Sequence, residues 1–355
     1  MKKIAIVTIT NSGMNFGNRL QNYALQHVLE SYSADVRTIY SSKSVRSSLF
    51  LSRVRRNAKM ILKSCGRRRN FNLFDKKHIK KAKQIRYEHI NENIFNKKFD
   101  VFIAGSDQIW NPEFHFNSGF EFLTFADPQK RYSYSASFGL EDIPDKHKKD
   151  YAEWLKSMRS ISVREKQGCE IVKKLTGRDA FLHIDPTMLL DAEHYAQMEE
   201  KPSAKLPEKY LLMYFLGEKK PEYTAFTEGI AKKTGLPVLE LSESAGSPLY
   251  NIGPQHFLYL LRHAEYICTD SFHGTIFAAI FQRRFTVFYR SDRNSPMNSR
   301  IDTLLEKLRL QVRLYSALDI EDYVGDMNYA EVDRLVADER ASAHDYLRGI
   351  VGSDD

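Results

Sequence analysis

The stretch Phe99-Asp100-Val101-Phe102-Ile103-Ala104-Gly105-Ser106-Asp107 is a short, nearly continuous apolar run that stops at a glycine and then turns polar. Such a run suits a strand buried on both faces, as in a parallel sheet, and the glycine marks the turn that leaves it. The same pattern recurs along the 355 residues. Residues 3–10, 36–40, 131–137, 160–164, 210–216, 237–241, 266–269 and 285–289 also read as strands. Between them lie helical patterns. Residues 18–31 put Leu20, Tyr23, Ala24, Val28 and Leu29 on one stripe, and 145–158, 166–176, 221–234, 274–281 and 298–308 read as helices. Pro254 opens another, its fixed φ suited to a first turn. Strand alternates with helix throughout, so the expected class is α/β, with parallel sheets covered by helices.

The length suggests about two domains. The less periodic stretch 191–207, with Pro202 and Pro207, reads as the linker between a first domain at 1–190 and a second at 208–318. Residues 319–355 read as an acidic helical tail, with a helix from about 328 to 350. The chain carries a formal charge of +8, with 42% hydrophobic residues. That composition excludes a disordered or collagen-like chain. The charge is local. Segment 53–86 holds 14 Lys and Arg against one acid, Asp75, whereas 319–355 holds 11 acids and three arginines. The basic segment, part of a helical insertion at about 50–90, reads either as a solvated helix hairpin, with Val54, Met60, Ile61 and Leu62 packing on one side, or as a contact for anionic lipid or a phosphorylated carrier. No helix-turn-helix, zinc or RNA-recognition signature accompanies it, so nucleic acid is not expected as a partner. The widely spaced cysteines Cys65, Cys169 and Cys268 suggest neither a disulfide framework nor a metal site. The apolar run after Lys2-Lys3 is too short for a signal peptide, and no stretch suits a membrane helix. A soluble cytoplasmic protein, with a candidate peripheral contact at the inner membrane through 53–86, is the expectation.

Ligands of open α/β sheets sit beyond the carboxyl ends of the strands, and the polar residues of this chain gather there. After the first strand, Asn11-Ser12-Gly13-Met14-Asn15-Phe16-Gly17-Asn18 feeds a helix N-terminus. Backbone N–H groups there can hold an anion or sugar hydroxyls; a plain βα turn is the alternative. It is not the dinucleotide fingerprint. Gly105 delivers Ser106, Asp107 and Gln108 to the same edge. Asp107 is a candidate general base, or else an N-cap. Tyr134-Ser135-Ala136-Ser137-Phe138-Gly139 is a further polar exit. Arg164, at the end of 160–164, suits an anionic ligand or an ion pair with Glu165 or Asp185.

The densest constellation is Ile267-Cys268-Thr269-Asp270-Ser271-Phe272-His273-Gly274-Thr275. A strand runs into a tight turn and a helix begins. Ser271, Thr275, first-turn N–H groups and the helix dipole favour a phosphate, and His273 stands where it could touch that phosphate or give a proton. Arg284, Arg290, Arg293 and Arg300 are candidate anion clamps, with Arg300 at a helix start the first choice.

Taken together, Asn15-Phe16-Gly17-Asn18 with Leu20-Gln21-Asn22-Tyr23, Gly105-Ser106-Asp107-Gln108-Ile109-Trp110-Asn111, Ser162-Val163-Arg164-Glu165, Asp185-Pro186-Thr187, Thr269 to Thr275 and Ser299-Arg300 resemble the polysaccharide pyruvyl transferase family. The resemblance covers roughly 3–315. It implies two Rossmann-like domains similar to B-type glycosyltransferases, the first on the acceptor side and the second on the donor side. It also implies phosphoenolpyruvate as co-substrate and a pyruvate ketal on a sugar or lipid-linked oligosaccharide of a bacterial surface glycan. No cofactor and no metal are expected. On that basis His273, Asp107 and Arg164 are the expected catalytic residues. Asp270, Ser271, His273, Gly274, Thr275 and Arg300 are expected to bind the donor. Asn15, Gly17, Asn18, Ser106, Asp107, Gln108, Ser135 and Ser137 are expected to bind the acceptor. Two alternatives stay open: a glycosyltransferase using a nucleotide sugar, and a non-catalytic protein docking on membrane or nucleic acid through its basic segment.

Overall fold

The computed structural model describes residues 1–9, 13–39, 58–82, 90, 92–114, 118–242, 244, 246–290, 298–315, 320–325 and 327–352, with 58–64 and Asp322 described by backbone alone. The chain divides into two compact units. The first is Met1–Ala58, Asp75–Leu189 and Asp338–Asp355; the second is Lys59–Phe74 and Leu190–Ala337.

In the first unit β1 (Lys3–Val7) leads to α1 (Phe16–Ser31) and β2 (Asp35–Ile39). Then come α2 (Ala58–His78), whose Lys59–Phe74 stretch belongs to the second unit, α3 (Glu92–Lys98), β3 (Val101–Ala104) and β4 (Arg131–Ser133). They are followed by α4 (Asp145–Lys156), β5 (Ser162–Val163), α5 (Lys166–Thr176) and β6 (Phe181–Leu182). The main sheet has the order β2-β1-β3-β4, all parallel, with β5-β6 as a short parallel pair beside it. Strands β1 and β3 are apolar because both faces are covered, and Ile4, Phe102 and Ile103 are fully buried. Beside them Trp110 stacks on Phe122 at 5.1 Å and packs against Phe138.

The expected strand 131–137 ends at Ser133, because the chain enters the left-handed region at Ser135 (φ 49°). Serine side chains carry the sheet onward instead. Ser162 N donates to Ser133 Oγ at 2.8 Å, and Ser135 N donates to Ser162 Oγ at 3.0 Å.

The second unit contains α6 (Ala192–Ala196), β7 (Leu211–Tyr214), α7 (Pro221–Thr234), β8 (Val238–Glu240) and α8 (Pro254–Arg262). It continues with β9 (Tyr266–Thr269), α9 (Phe272–Ile280), β10 (Arg284–Val287), α10 (Ser299–Lys307), α11 (Ile320–Val324) and the start of α12 (Tyr329–Gly352), which passes into the first unit at Asp338. Its sheet has the order β10-β9-β7-β8, again all parallel. In each sheet the strand order reverses beside the first strand of the unit, between β1 and β3 and between β7 and β9. The crevice outside the carboxyl ends at such a switch point is where α/β sheets bind ligands.

Three boundaries differ from the sequence reading. The expected linker 191–207 includes α6, whose Tyr195 is fully buried against Phe277, so that part packs as core of the second unit. The expected tail does not stand apart. From Asp338 onward α12 belongs to the first unit, where Arg340 donates to Met188 O and Tyr346 to Ser133 O. The basic segment is also divided. Arg67 is buried in the second unit, donating to Tyr250 O and lying against the Phe71 and Tyr250 rings. Its other described cations include Lys80, paired with Glu30, and Lys81, paired with Asp75. The expected packing of Val54, Met60, Ile61 and Leu62 falls outside the described residues and side chains. Arg68, Arg69, Lys76 and Lys77 are exposed. Among the described residues no helix is long and apolar enough to cross a membrane.

Candidate functional site

At the carboxyl edge of the first unit, three polar groups tie the switch point together. Gln21, on the core side of α1, donates to Thr8 Oγ1 at 2.9 Å and accepts from Ser106 N at 3.0 Å. Thr8 in turn donates to Ser106 O at 3.2 Å. Gly105 sits at φ 129°, and a Cβ there would run into the Tyr134 carbonyl. Only glycine lets β3 turn this close to its neighbour. The turn presents Asp107, itself at φ 64°.

The two Asp107 carboxylate oxygens have different partners. Oδ1 accepts from Arg164 Nη2 at 3.2 Å, and Oδ2 accepts from Asn18 Nδ2 at 3.4 Å. Arg164 Nη1 reaches Asp185 Oδ2 at 2.5 Å. Asp185 Oδ1 is closed off by Thr187, through its N at 3.0 Å and its Oγ1 at 2.8 Å. The ion-pair alternative for Arg164 is therefore the one observed. Burial pulls the Arg164 guanidinium's pKa down, but the carboxylates of Asp185, Asp107 and Glu165 outweigh it and hold it above its usual value. Asp185 is fully enclosed, whereas the Asp107 side chain is 13% exposed and is the member of the network at the surface.

The other expected acceptor residues fall around this network. Asn15 caps α1 by accepting from Asn18 N, and Gly17 is buried in the first turn. Gln108 lies over Gly139, where a Cβ would collide with it, and accepts from Asn111 Nδ2 at 2.9 Å. The Ser106 hydroxyl donates to Ser135 O, and the Ser135 hydroxyl makes a long bond to His183 O. Ser137 is held by its backbone, N to Asp107 O and O from Trp110 N. Its hydroxyl is buried without a hydrogen-bond partner among the described residues. A buried hydroxyl left unpaired is costly, and here it is next to the Asp107 turn.

The second unit builds its edge differently. Thr269 donates to Tyr214 O at 2.6 Å and accepts from Ser271 N at 3.0 Å. Asp270 accepts from Leu216 N at 2.6 Å and Gly217 N at 2.8 Å, bracing the loop after β7. Burial raises the Asp270 pKa, and these N–H groups and Arg290 only partly offset it. Helix α9 begins at Phe272, two residues before the expected start, because Ser271 takes extended backbone and caps Gly274 N at 3.2 Å. The Thr275 hydroxyl returns to Ser271 O at 3.0 Å. Both hydroxyls thus serve the helix itself. A Cβ on Gly274 would lie 2.7 Å from Thr269 Oγ1, so the glycine allows the close seat of α9 on the strand exit. His273 occupies the first turn and is 8% exposed.

Arg300, in the first turn of α10, lies with its guanidinium 5.4 Å from the Phe272 ring centre. That contact brings it beside the start of α9. Arg290 is held by Asn298, which accepts from its N at 3.1 Å and donates to its O at 3.0 Å. Arg284 is a different case. It opens β10 at the amino-terminal end and donates to Val324 O, so the structure removes it from the expected clamps. Arg293 lies outside the described residues. Among the described residues no cluster of three or more His, Cys, Asp or Glu is placed to hold a metal ion.

The family model for polysaccharide pyruvyl transferases matches residues 15–292, a span that includes both edges. The chain belongs to the polysaccharide pyruvyl transferase family. It is thereby a member of a transferase family. No curated protein sequence matches it closely enough to count as a relative. Solved structures supply the fold. A putative UDP-N-acetylglucosamine 2-epimerase from Listeria monocytogenes is 13% identical, with a TM-score of 0.50 over 98% of this chain and 90% of that one. The UDP-GlcNAc 2-epimerase of Methanocaldococcus jannaschii, in complex with UDP-GlcNAc and UDP, is 11% identical, with a TM-score of 0.50 over 99% of this chain and 100% of that one. The expected B-type glycosyltransferase-like architecture of this pyruvyl transferase family member is therefore the observed one.

Thr8, Gln21 and Asp185 were not among the expected site residues, although each binds one that was, and Thr187 in turn binds Asp185. Gln21 left a signal, since it is a polar residue on the buried side of α1. Asp185 was already the alternative ion-pair partner of Arg164, and Thr187 left a weaker signal as part of the Asp-Pro-Thr motif.

Proposed function

We propose that this chain transfers the pyruvyl group of phosphoenolpyruvate to two hydroxyls of a sugar, forming a ketal on a bacterial surface glycan or its lipid-linked precursor. The observation that carries the reading is the Asp107 carboxylate at the rim, fixed through both oxygens and beside the unpaired Ser137 hydroxyl. That arrangement suits a sugar hydroxyl, which can give its proton to the carboxylate and exchange hydrogen bonds with the serine.

In this reading Arg164 is a positioning residue. It aims Asp107 through Nη2 and is itself held on Asp185 through Nη1. His273 delivers a proton to the methylene carbon, which becomes the methyl group, and C2 gains oxocarbenium character. The first acceptor hydroxyl then adds to C2 and loses its proton to Asp107, from which it returns through solvent to restore His273. The C2–O bond to phosphate breaks, the second hydroxyl adds to C2, and its proton leaves with the inorganic phosphate. The donor's phosphate and carboxylate are met by the first turn of α9, by Arg300 steadied on Phe272, and by Arg290. The chemistry assigns no step to a metal or a cofactor.

The enzyme would act in the cytoplasm. Arg68, Arg69, Lys76 and Lys77 would give it a salt-sensitive contact with an anionic membrane that holds the acceptor. The test is phosphate release from phosphoenolpyruvate with a panel of sugars, read against His273→Ala. Acceptor-dependent release that disappears in the variant supports the reading. Turnover of a nucleotide sugar in its place would favour the glycosyltransferase alternative.

A further inference from the structure

A concave groove of about 570 Å³ opens in the first unit between the sheet edge and the last turns of α12. Tyr132 lies in β4, Ser160 precedes β5 and Phe181 opens β6. His183, just past β6, lines it as well. Asp107, Ser137, Arg164 and Asp185 do not line it, so the groove is distinct from the acceptor edge described above.

Its floor is an aromatic stack that runs from the core to the surface. Tyr134 is fully buried and lies 17° from parallel with His183 at 5.8 Å. His183, its Nδ1 bonded to Ser162 Oγ at 2.9 Å, lies 9° from parallel with Phe181 at 5.8 Å. Phe181 ends the stack and is 55% exposed. Tyr346 closes one side, its ring 5.1 Å from Phe181 and its hydroxyl tied to Ser133 O and Ser160 Oγ. The rim is polar. Arg159 lies over the Tyr132 ring at 5.7 Å, and Asp345 stands 80% exposed on α12.

We propose that this groove is a second carbohydrate site, which holds a neutral pyranose unit of the glycan chain away from the reacting hydroxyls. A sugar ring offers a C–H face to an aromatic plane and hydroxyls to its rim. Phe181 supplies the plane, fixed in orientation by the rings beneath it. Asp345, which also lies 3.5 Å from Arg348 Nη1, accepts hydrogen bonds from hydroxyls and Arg159 donates them, the pairing of apolar wall and few polar groups that small-ligand sites show. The volume falls within the roughly 300–1,000 Å³ of such sites. A protein partner fits less well, because a stable interface needs upward of about 1,000 Å² and the exposed apolar part here is essentially one ring. The choice of a glycan rests on the pyruvyl-transfer reading; the shape and chemistry of the groove do not.

The probes are neutral tetrasaccharides of glucose, galactose, mannose and N-acetylglucosamine, with binding followed by saturation-transfer NMR on the full chain. At least one should bind at millimolar concentration or below. Phe181→Ala should weaken it about tenfold, Phe181→Trp should retain it, and Asp345→Asn should weaken it less than Phe181→Ala. Phosphate release with a monosaccharide acceptor should be unchanged in all three variants. Binding that is indifferent to Phe181, no binding by any probe, or a change from dimer to monomer on Phe181→Ala would overturn the proposal, the last by showing a second copy in the groove. Absence of phosphate release with every acceptor would instead overturn the pyruvyl-transfer reading, and the binding experiment would still decide the groove.

Discussion

The two sheets have the same strand order about their switch points, and each strand exit is tied back in a similar way. In the first unit Ser106, after β3, meets Gln21 and Thr8 at the end of β1. In the second, Thr269 and Asp270, at the end of β9, meet Tyr214 O and the Leu216 and Gly217 N–H groups beyond β7. What the ties leave at each edge differs. The first edge presents a carboxylate, Asp107, backed by a second carboxylate and one arginine. The second presents a helix N-terminus, His273, Arg290 and Arg300, with Asp270 turned inward onto the backbone. Identical topology thus carries opposite electrostatics. One edge suits a hydroxyl that must lose a proton, and the other suits a phosphate and a carboxylate.

That contrast can be broken most sharply at its chemical groups. His273→Ala and Asp107→Asn should each lower turnover by about 10²–10⁴-fold with the fold retained, the usual worth of a positioned acid or base. Steady-state kinetics beside a melting curve would show it, and a variant that keeps full activity would remove its edge from the mechanism. Arg164→Met comes next and should act on stability as well. It leaves Asp185 buried without its cation, so unfolding should become easier by about 3–5 kcal/mol, read from denaturant midpoints. A small change would mean that the network is less enclosed than its distances indicate.

Gly274→Ala probes the seat of α9 rather than its charge. The added methyl meets Thr269 Oγ1, and a loss of about 1–3 kcal/mol is expected in thermal unfolding. Arg300→Lys keeps the charge but gives up the planar stack on Phe272. It should raise the KM for phosphoenolpyruvate about threefold to tenfold while leaving the KM for the sugar unchanged. If both constants moved together, the division between donor and acceptor edges would be wrong. The smallest effect is expected from changing Arg68, Arg69, Lys76 and Lys77 to glutamine. Activity on a soluble acceptor should stay within about twofold, while binding to anionic vesicles at low salt should fall.

Much of this comparison was legible in the sequence, for a physical reason. Buried parallel strands must be apolar throughout and must end in turn residues, so Gly105 and the Thr269 to Gly274 turn announce the strand exits. Long-range pairing is not written locally. The pairing of Arg164 with Asp185 stood among the sequence alternatives, but nothing near Arg164 says that its guanidinium also faces Asp107, and nothing near Ser271 and Thr275 says that their hydroxyls are used by their own helix. Charge counts misled in a similar way. Arg67 contributes to a strongly basic segment yet is buried against Tyr250, because a count cannot see which face of a helix is covered. The acidic tail read as an appendage because its anchors, such as Tyr346 to Ser133 O, lie more than two hundred residues away in the chain.

The most direct test of the account is the stoichiometry of phosphate release from phosphoenolpyruvate in the presence of a sugar diol. The account predicts one phosphate released per ketal formed, only when the sugar is present, and loss of both products in His273→Ala and in Asp107→Asn. Phosphate release by the wild type that ignores the sugar, or ketal formation that survives both substitutions, would contradict it.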